Sequence, residues 1–181
     1  MTIRTVRVAG ALVLVAVAAW GMRGGVWQRP GAAPAPRVNA NMLQLMRGLF
    51  FPTSNVIFAA QADLGVWVRD SQPSTSPNPL TGLYEPWQAV EYAALMLTES
   101  ASLLLLPGRE CANGRQAPVE RADWVQFSEQ IRQAGLAAYK AAQSRQADAM
   151  VEASGAVSEA CAACHGVYRS ERAGVENRCA S

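Results

Sequence analysis

The sequence predicts an all-α protein, an antiparallel four-helix bundle, from three observations. Apolar residues recur every three or four positions over four segments, as on one face of a helix. Half of the 181 residues are hydrophobic and only 17% are charged, which is enough for a packed core, and Ala, Leu and Val dominate. No segment alternates as a half-buried strand does. Amphipathic helices with short connectors favour an antiparallel bundle.

The first predicted helix covers Ala40–Asp70 and contains Pro52. A proline inside a helix removes one hydrogen bond and clashes with the carbonyl four residues back. We therefore expect a kink or a short break near Phe51. Thr53 and Ser54 are expected to help satisfy the freed backbone groups.

Proline and glycine mark the limits of the other helices. The second begins around Glu85, with Pro86 in its first turn, and Pro107 stops it. The third is predicted over Val119–Ser144 and the fourth over Arg145–Arg172. These four segments define the predicted bundle.

Residues 1–37 resemble an export segment followed by a Pro/Ala linker. Arg4 and Arg7 precede an uncharged, mostly apolar run of 15 residues, Val8–Met22. That length suits a signal peptide better than a full membrane span, but no clean A-x-A cleavage site follows, so an N-terminal anchor remains the alternative. Either way, residues 38–181 are expected to form one exported, periplasmic domain.

Charge argues against nucleic acid as a partner. Residues 1–37 contain 5 of the 16 Lys+Arg and none of the 14 Asp+Glu, so the remaining domain carries 11 − 14 = −3 rather than the overall +2. No lysine-rich face or basic patch is present in that domain.

One short segment carries recognisable chemistry: Cys161 to His165 reads C-A-A-C-H. C-x-x-C-H is the pattern of c-type heme attachment. Two thiols three residues apart on a helix can each reach one vinyl group of the same porphyrin edge. We therefore expect one heme c bound covalently through Cys161 and Cys164, with His165 as an axial ligand of the iron.

Two other interpretations of this segment are weaker. A structural zinc site needs four ligands, and because His165 is the only histidine, Cys111 and Cys179 would have to complete the set. A thioredoxin-like pair normally lies at a helix start after a strand. Here the pair lies late in the last helix of an all-helical chain.

Two stretches resemble the class II c-type cytochromes, meaning the cytochrome c-prime family and its low-spin relatives. They are CAACHGVYR at Cys161–Arg169 and LMRGLFFPTSNVIF at Leu45–Phe58. The resemblance extends over roughly Ala40–Arg172. It implies a four-helix bundle that holds heme between its helices, with the fifth iron ligand from the final helix.

The resemblance also implies that the first helix decides what the heme does. A methionine there gives a six-coordinate electron carrier, whereas an apolar residue leaves a five-coordinate iron that binds small gases. Met46 occupies the family's distal position, Met42 is the fallback, and both could instead be core residues. Many relatives have an arginine where this chain has Met42, and Arg47 is the candidate to replace it.

Other residues near the motif have expected roles. By resemblance Arg169 pairs with a heme propionate; the alternative is a solvated arginine that favours the helix end. Tyr168 is expected to be a packing residue. Trp124 and Phe127 are candidates for the core near the porphyrin; the alternative, more common for aromatic residues at this spacing, is that they are plain core residues.

The two remaining cysteines leave three alternatives open. Cys111 and Cys179 could form a disulfide in an oxidising compartment, remain free, or bond to another molecule. In the predicted bundle the Cys111 loop and the Cys179 tail lie a helix length apart, which argues against a bridge unless the tail folds back.

Taken together, the sequence predicts an exported monoheme cytochrome, ligated by His165 and Met46, that passes single electrons between periplasmic or membrane redox proteins. The alternative is a five-coordinate protein that binds NO or CO. An enzymatic role is not expected, since a peroxidase would need a second, distal histidine. By resemblance a homodimer is an option that the sequence does not fix.

Overall fold

A computed structural model describes residues 36–61, 83–169 and 178–179. Within these ranges the chain forms four helices and no strand, which confirms the all-α prediction. The predicted export segment lies outside the described residues apart from Pro36 and Arg37. None of the helices in these ranges is both long and apolar enough to cross a membrane.

The first helix, α1, consists of three consecutive parts: Met42–Leu45, a π-helical stretch Met46–Phe50, and Phe51–Ala59. Its start is fixed by a capping box, in which the side chain of Asn41 accepts from the backbone N–H of Gln44 and the Gln44 side chain accepts in return. In the described residues α1 ends at Ala59, and residues 62–70 of the predicted helix lie outside the described residues. After Ala59 the last turn is tighter, because the backbone N–H groups of Ala60 and Gln61 bond to carbonyls three residues back.

Near Phe51, where we expected a kink or a short break, α1 does not end but changes register. The backbone N–H of Phe51 bonds to the carbonyl of Met46, five residues back, and the α-helical register resumes from Phe51. The wider π turn gives the Pro52 ring room beside the carbonyl of Gly48. A proline in mid-helix is thus accommodated without ending the helix.

The hydroxyls that follow Pro52 act as predicted. Thr53 Oγ1 donates to the carbonyls of Leu49, at 2.7 Å, and Phe50, at 3.0 Å. Ser54 Oγ donates to the carbonyl of Phe51 at 3.1 Å. These bonds satisfy carbonyls next to the change of register.

The other three helices are α2 at Pro86–Ser100, α3 at Ala122–Ser144 and α4 at Ala147–Tyr168. A 3₁₀ turn, Ala101–Leu105, extends α2. The predicted starts of α3 and α4 were three and two residues early. The reason at α4 is that Arg145 takes a left-handed conformation, φ 54°, which ends α3 and reverses the chain.

Packing joins the helices in sequence. The α2–α3 and α3–α4 interfaces are the most extensive; α1 packs mainly on α2 and touches α4 only lightly. Ser154 of α4 makes one such contact, donating to the carbonyl of Ile57 at 3.4 Å. Because α1 and α4 barely touch elsewhere, a space opens between them.

The starts of α1 and α3 and the end of α4 lie near the loop between α2 and α3. Met42, at the start of α1, donates its backbone N–H to the carbonyl of Glu110, in the loop between α2 and α3, at 2.7 Å. Trp124, in the first turn of α3, packs edge-on against Tyr168, the last residue of α4, with ring centroids 4.8 Å apart. Our placement of the end of α4 far from the start of α3 was therefore wrong, since two helices joined by a two-residue turn reverse direction.

Candidate functional site

The C-x-x-C-H segment lies in the last two turns of α4. Cys164 and His165 follow Cys161 by three and four residues, so the helix places both of them beside Cys161 on one face. Each is partly buried, while Ala162 and Ala163 between the cysteines are exposed. All three chemically active side chains line the same cavity.

That cavity has a volume of about 810 Å³. It lies where α1 and α4 separate, and its wall is mainly apolar and aromatic. Residues of α1 and α3 that line it include Met42, Met46, Phe50, Phe58, Trp124, Phe127 and Ile131.

Both candidate methionines are on the α1 wall of the cavity. Met42 is buried at 7% exposure, whereas Met46 is partly exposed and begins the π-helical stretch. They are four residues apart, on the same side of the helix. The structure places both thioethers and His165 at one cavity.

Burial sets the protonation of the α4 side chains. Desolvation raises the pKa of Cys161 and, with a smaller effect from neighbouring negative charge, raises the pKa of Cys164 to about 11. Desolvation, and secondarily the charge of Arg169, lowers the pKa of His165. The imidazole is therefore neutral at physiological pH, in the form that binds metals. Thiols with raised pKa values lack the thiolate character of a thioredoxin-like pair, which argues against that interpretation.

Cys111 and Cys179 form a disulfide, whereas Cys161 and Cys164 are free. The bridge settles the question that the sequence left open. It also weighs against the zinc interpretation, because neither bridged cysteine can supply a thiolate. No group of three or more His, Cys, Asp or Glu side chains in the described ranges could hold a metal ion.

Arginines provide the charge at the cavity. Arg47, Arg169 and Arg178 line it, and no Asp or Glu among the described residues does. In the part of the chain that the structure describes, salt bridges occur elsewhere, as between Arg121 and Asp123. The predicted propionate residue Arg169 is exposed at the end of α4, and it forms no salt bridge with another described residue.

Tyr168 packs as predicted. It is 4% exposed and contacts the rings of Trp124 and Phe127 edge-on, at centroid distances of 4.8 and 6.2 Å. Its hydroxyl accepts a hydrogen bond from Arg121 Nε at 3.1 Å. Trp124 and Phe127 line the cavity as well, so this aromatic group forms the part of its wall beneath the end of α4.

Sequence reasoning missed two arginines. Arg109 is 4% exposed, and its guanidinium donates to the carbonyls of Ala40 and Leu103, which fixes the start of α1 against the α2–α3 loop. Arg178 lines the cavity, and the next residue, Cys179, is bonded to Cys111. Neither arginine belongs to a periodic apolar pattern. The only local signal was the neighbouring residue, which is Gly108 for Arg109 and Cys179 for Arg178.

Comparisons of the chain with protein-family models, with curated proteins and with solved structures found no match.

Proposed function

We propose that this chain is an exported monoheme c-type cytochrome, with heme bound covalently through Cys161 and Cys164 and His165 as an axial ligand of iron. One observation carries the proposal. The C-x-x-C-H segment of α4 lines the same 810 Å³ cavity as Met46 of α1.

The cavity is suited to a large, flat, mostly apolar group with anionic edges. Its volume lies within the roughly 300–1,000 Å³ typical of ligand pockets. Aromatic and aliphatic side chains form the walls, the two thiols are free, and the cationic lining comes from arginines. These are the features that a covalently attached porphyrin with two carboxylates requires.

Each residue has a distinct role in the proposal. The thiols of Cys161 and Cys164 would each add across one vinyl group, so that two thioether bonds would retain the cofactor outside the cytoplasm. Neutral His165 offers a nitrogen lone pair, and the Met46 thioether offers a soft sulfur donor. When bound, heme supplies a one-electron iron couple, whose potential methionine ligation raises.

The helix directions support an antiparallel four-helix bundle around this site. The starts of α1 and α3 and the end of α4 adjoin the loop that follows α2. Successive helices therefore alternate in direction, as in the up-down-up-down topology. In such a bundle the last two turns of α4 and the first turns of α1 flank one shared cavity.

The role that follows is electron transfer without substrate turnover. The protein would accept and donate single electrons between redox proteins of the periplasm or the membrane. A homodimer remains compatible with this role.

Optical spectra of the purified holoprotein in both oxidation states test the ligation. The proposal predicts low-spin spectra and a far-red methionine-to-iron charge-transfer band in the ferric protein. Met46→Ala should abolish that band and give high-spin features, whereas Met42→Ala, the matched control one turn away, should retain it. An unchanged spectrum after Met46→Ala would remove Met46 from the ligand set.

A five-coordinate gas-binding protein is the second candidate. It is favoured by the apolar character of the α1 wall, where Phe50, Phe51 and Phe58 accompany the methionines. This candidate predicts high-spin spectra in the unmodified protein and ready carbon monoxide binding to its ferrous form.

A further inference from the structure

We propose that Arg178 is a heme-binding residue, whose guanidinium pairs with a propionate and which the Cys111–Cys179 disulfide holds at the cavity. This inference rests on the proposed function. Arg178 lies beyond the stretch that resembles the class II cytochromes, so the resemblance assigns it no role.

Three contacts fix the backbone at Arg178. The disulfide bonds the next residue, Cys179, to Cys111. The backbone N–H of Cys179 donates to the carbonyl of Tyr168 at 3.0 Å, and Asn113 Nδ2 donates to the carbonyl of Arg178 at 2.8 Å. The tail is thus attached both to the α2–α3 loop and to the end of α4, three residues after the proposed iron ligand.

This attachment brings the tail into the wall of the cavity. Cys111, Arg178 and Cys179 all line it, together with His165 and Arg169 of α4. The disulfide therefore does more than join two distant parts of the chain, because its own atoms and the adjacent arginine border the space proposed for heme.

Charge indicates what Arg178 binds. Among the residues that the structure describes, the cavity lining contains three arginines and no carboxylate, and none of the three forms a salt bridge with another described residue. Heme carries two carboxylates, which guanidinium groups bind in a bidentate manner. Arg178 and Arg169 approach the cavity from the tail and from α4, so each can serve one propionate.

A fixed cation beside heme has a measurable consequence. The reduced state carries one more negative charge than the oxidised state, so a nearby guanidinium stabilises it. Removing that charge should lower the ratio of reduced to oxidised protein at a given potential.

The test is a potentiometric titration of the holoprotein and its Arg178→Gln variant. We expect that ratio to fall by up to about tenfold, which is about 59 mV in the midpoint of a one-electron couple. The resonance Raman mode of the propionates, which responds to their hydrogen bonds, should shift as well. Arg178→Lys keeps the positive charge, so its midpoint potential should stay close to that of the unmodified protein. Arg115→Gln is the matched control, since Arg115 is an exposed arginine of the α2–α3 loop, to which the tail is bonded, and does not line the cavity.

The disulfide is tested by Cys111→Ala combined with Cys179→Ala. This variant should reproduce the fall, and adding Arg178→Gln to it should change little further. Equal potentials and propionate modes for Arg178→Gln and Arg115→Gln would overturn the role of Arg178. A full additional fall in the disulfide-free variant would overturn the positioning role of the bridge. Wild-type protein without covalent heme would instead refute the proposed function.

Discussion

The four cysteines divide into two chemically different pairs. Cys111 and Cys179 are bonded to each other, while Cys161 and Cys164 stay free and partly buried on one face of α4. Burial raises the pKa of both free thiols, so they are neutral at physiological pH. The pair that can react with a cofactor is thereby separated from the pair that stabilises the chain.

A second residue-scale feature lies beneath the end of α4. Arg121 Nε donates to Asp123 Oδ1 and to the hydroxyl of Tyr168, each at 3.1 Å, while Asp123 accepts from the backbone N–H of Trp124 at 3.0 Å. The hydrogen bond from Arg121 is the main cause that lowers the pKa of Asp123 to about 2. This carboxylate therefore remains ionised throughout the physiological range.

Acid should weaken this interaction over a defined range. Because the folded pKa of Asp123 lies below its ordinary value of 3.8, its stabilising effect is complete above that value and is lost as the pH falls towards about 2. NMR titration of the Asp123 carboxyl should give a midpoint near 2. Arg121→Gln should move that midpoint up towards 3.8; a midpoint near 3.8 in the unmodified protein would contradict the assignment.

At the scale of elements, α1 is the least regular helix and the one that carries the candidate distal ligand. Its π-helical stretch begins at Met46 and ends two residues before Pro52. Such stretches are frequent at functional sites. The register change therefore lies in the part of α1 that lines the cavity, and Pro52 follows two residues after it.

The contact between α2 and α3 depends on a glycine. A Cβ atom at Gly135 of α3 would lie 2.6 Å from Thr98 Oγ1 and 3.0 Å from the Thr98 backbone nitrogen of α2. Gly155 of α4 has nothing within 4 Å of the corresponding position. Gly135 and Gly155 should therefore respond oppositely to the same substitution.

Gly135→Ala should lower the free energy of unfolding by about 1–3 kcal/mol, because α2 and α3 must move apart. Gly155→Ala should raise it by about 0.5–1 kcal/mol, because alanine restricts the unfolded chain and no contact is disturbed. Urea denaturation of both variants measures the difference. An increase in stability for Gly135→Ala would show that the helices are not in close contact there.

Sequence patterns predicted the elements well where the signal is local. Helical periodicity and Pro86 located α2 closely, and hydroxyl side chains after Pro52 were correctly expected to bond to backbone carbonyls. The π-helical register was not predictable. It depends on whether a backbone N–H bonds to the carbonyl four or five residues back, and these two hydrogen bonds are similar in energy. Arg145 gave no glycine signal for the turn between α3 and α4, so the start of α4 was predicted two residues early.

At the scale of the whole molecule, the disulfide joins two regions 68 residues apart in sequence. It connects the loop after α2 with the tail after α4, at the end of the molecule that contains the candidate site. The cysteine pattern alone left this pairing open, because it required knowing which helix ends meet. Arg178 was missed for the same reason, whereas C-x-x-C-H is local and could be recognised directly.

Removing the bridge should destabilise the fold. A cross-link over a loop of this length is expected to contribute about 2–4 kcal/mol by restricting the unfolded chain. Holoprotein carrying both Cys111→Ser and Cys179→Ser should show a correspondingly lower urea midpoint while its heme content is unchanged. Equal midpoints with and without the bridge would contradict this expectation.

The most direct measurement of the central claim is the mass and absorbance of the denatured protein. The chain is expressed in a host competent in heme export and extracted with acidified organic solvent. We predict that one heme per chain remains bound and that it locates to the peptide containing Cys161 and Cys164. Cys161→Ala combined with Cys164→Ala should abolish it, whereas Cys111→Ser with Cys179→Ser should not. A wild-type chain that retains no porphyrin after extraction would contradict the account.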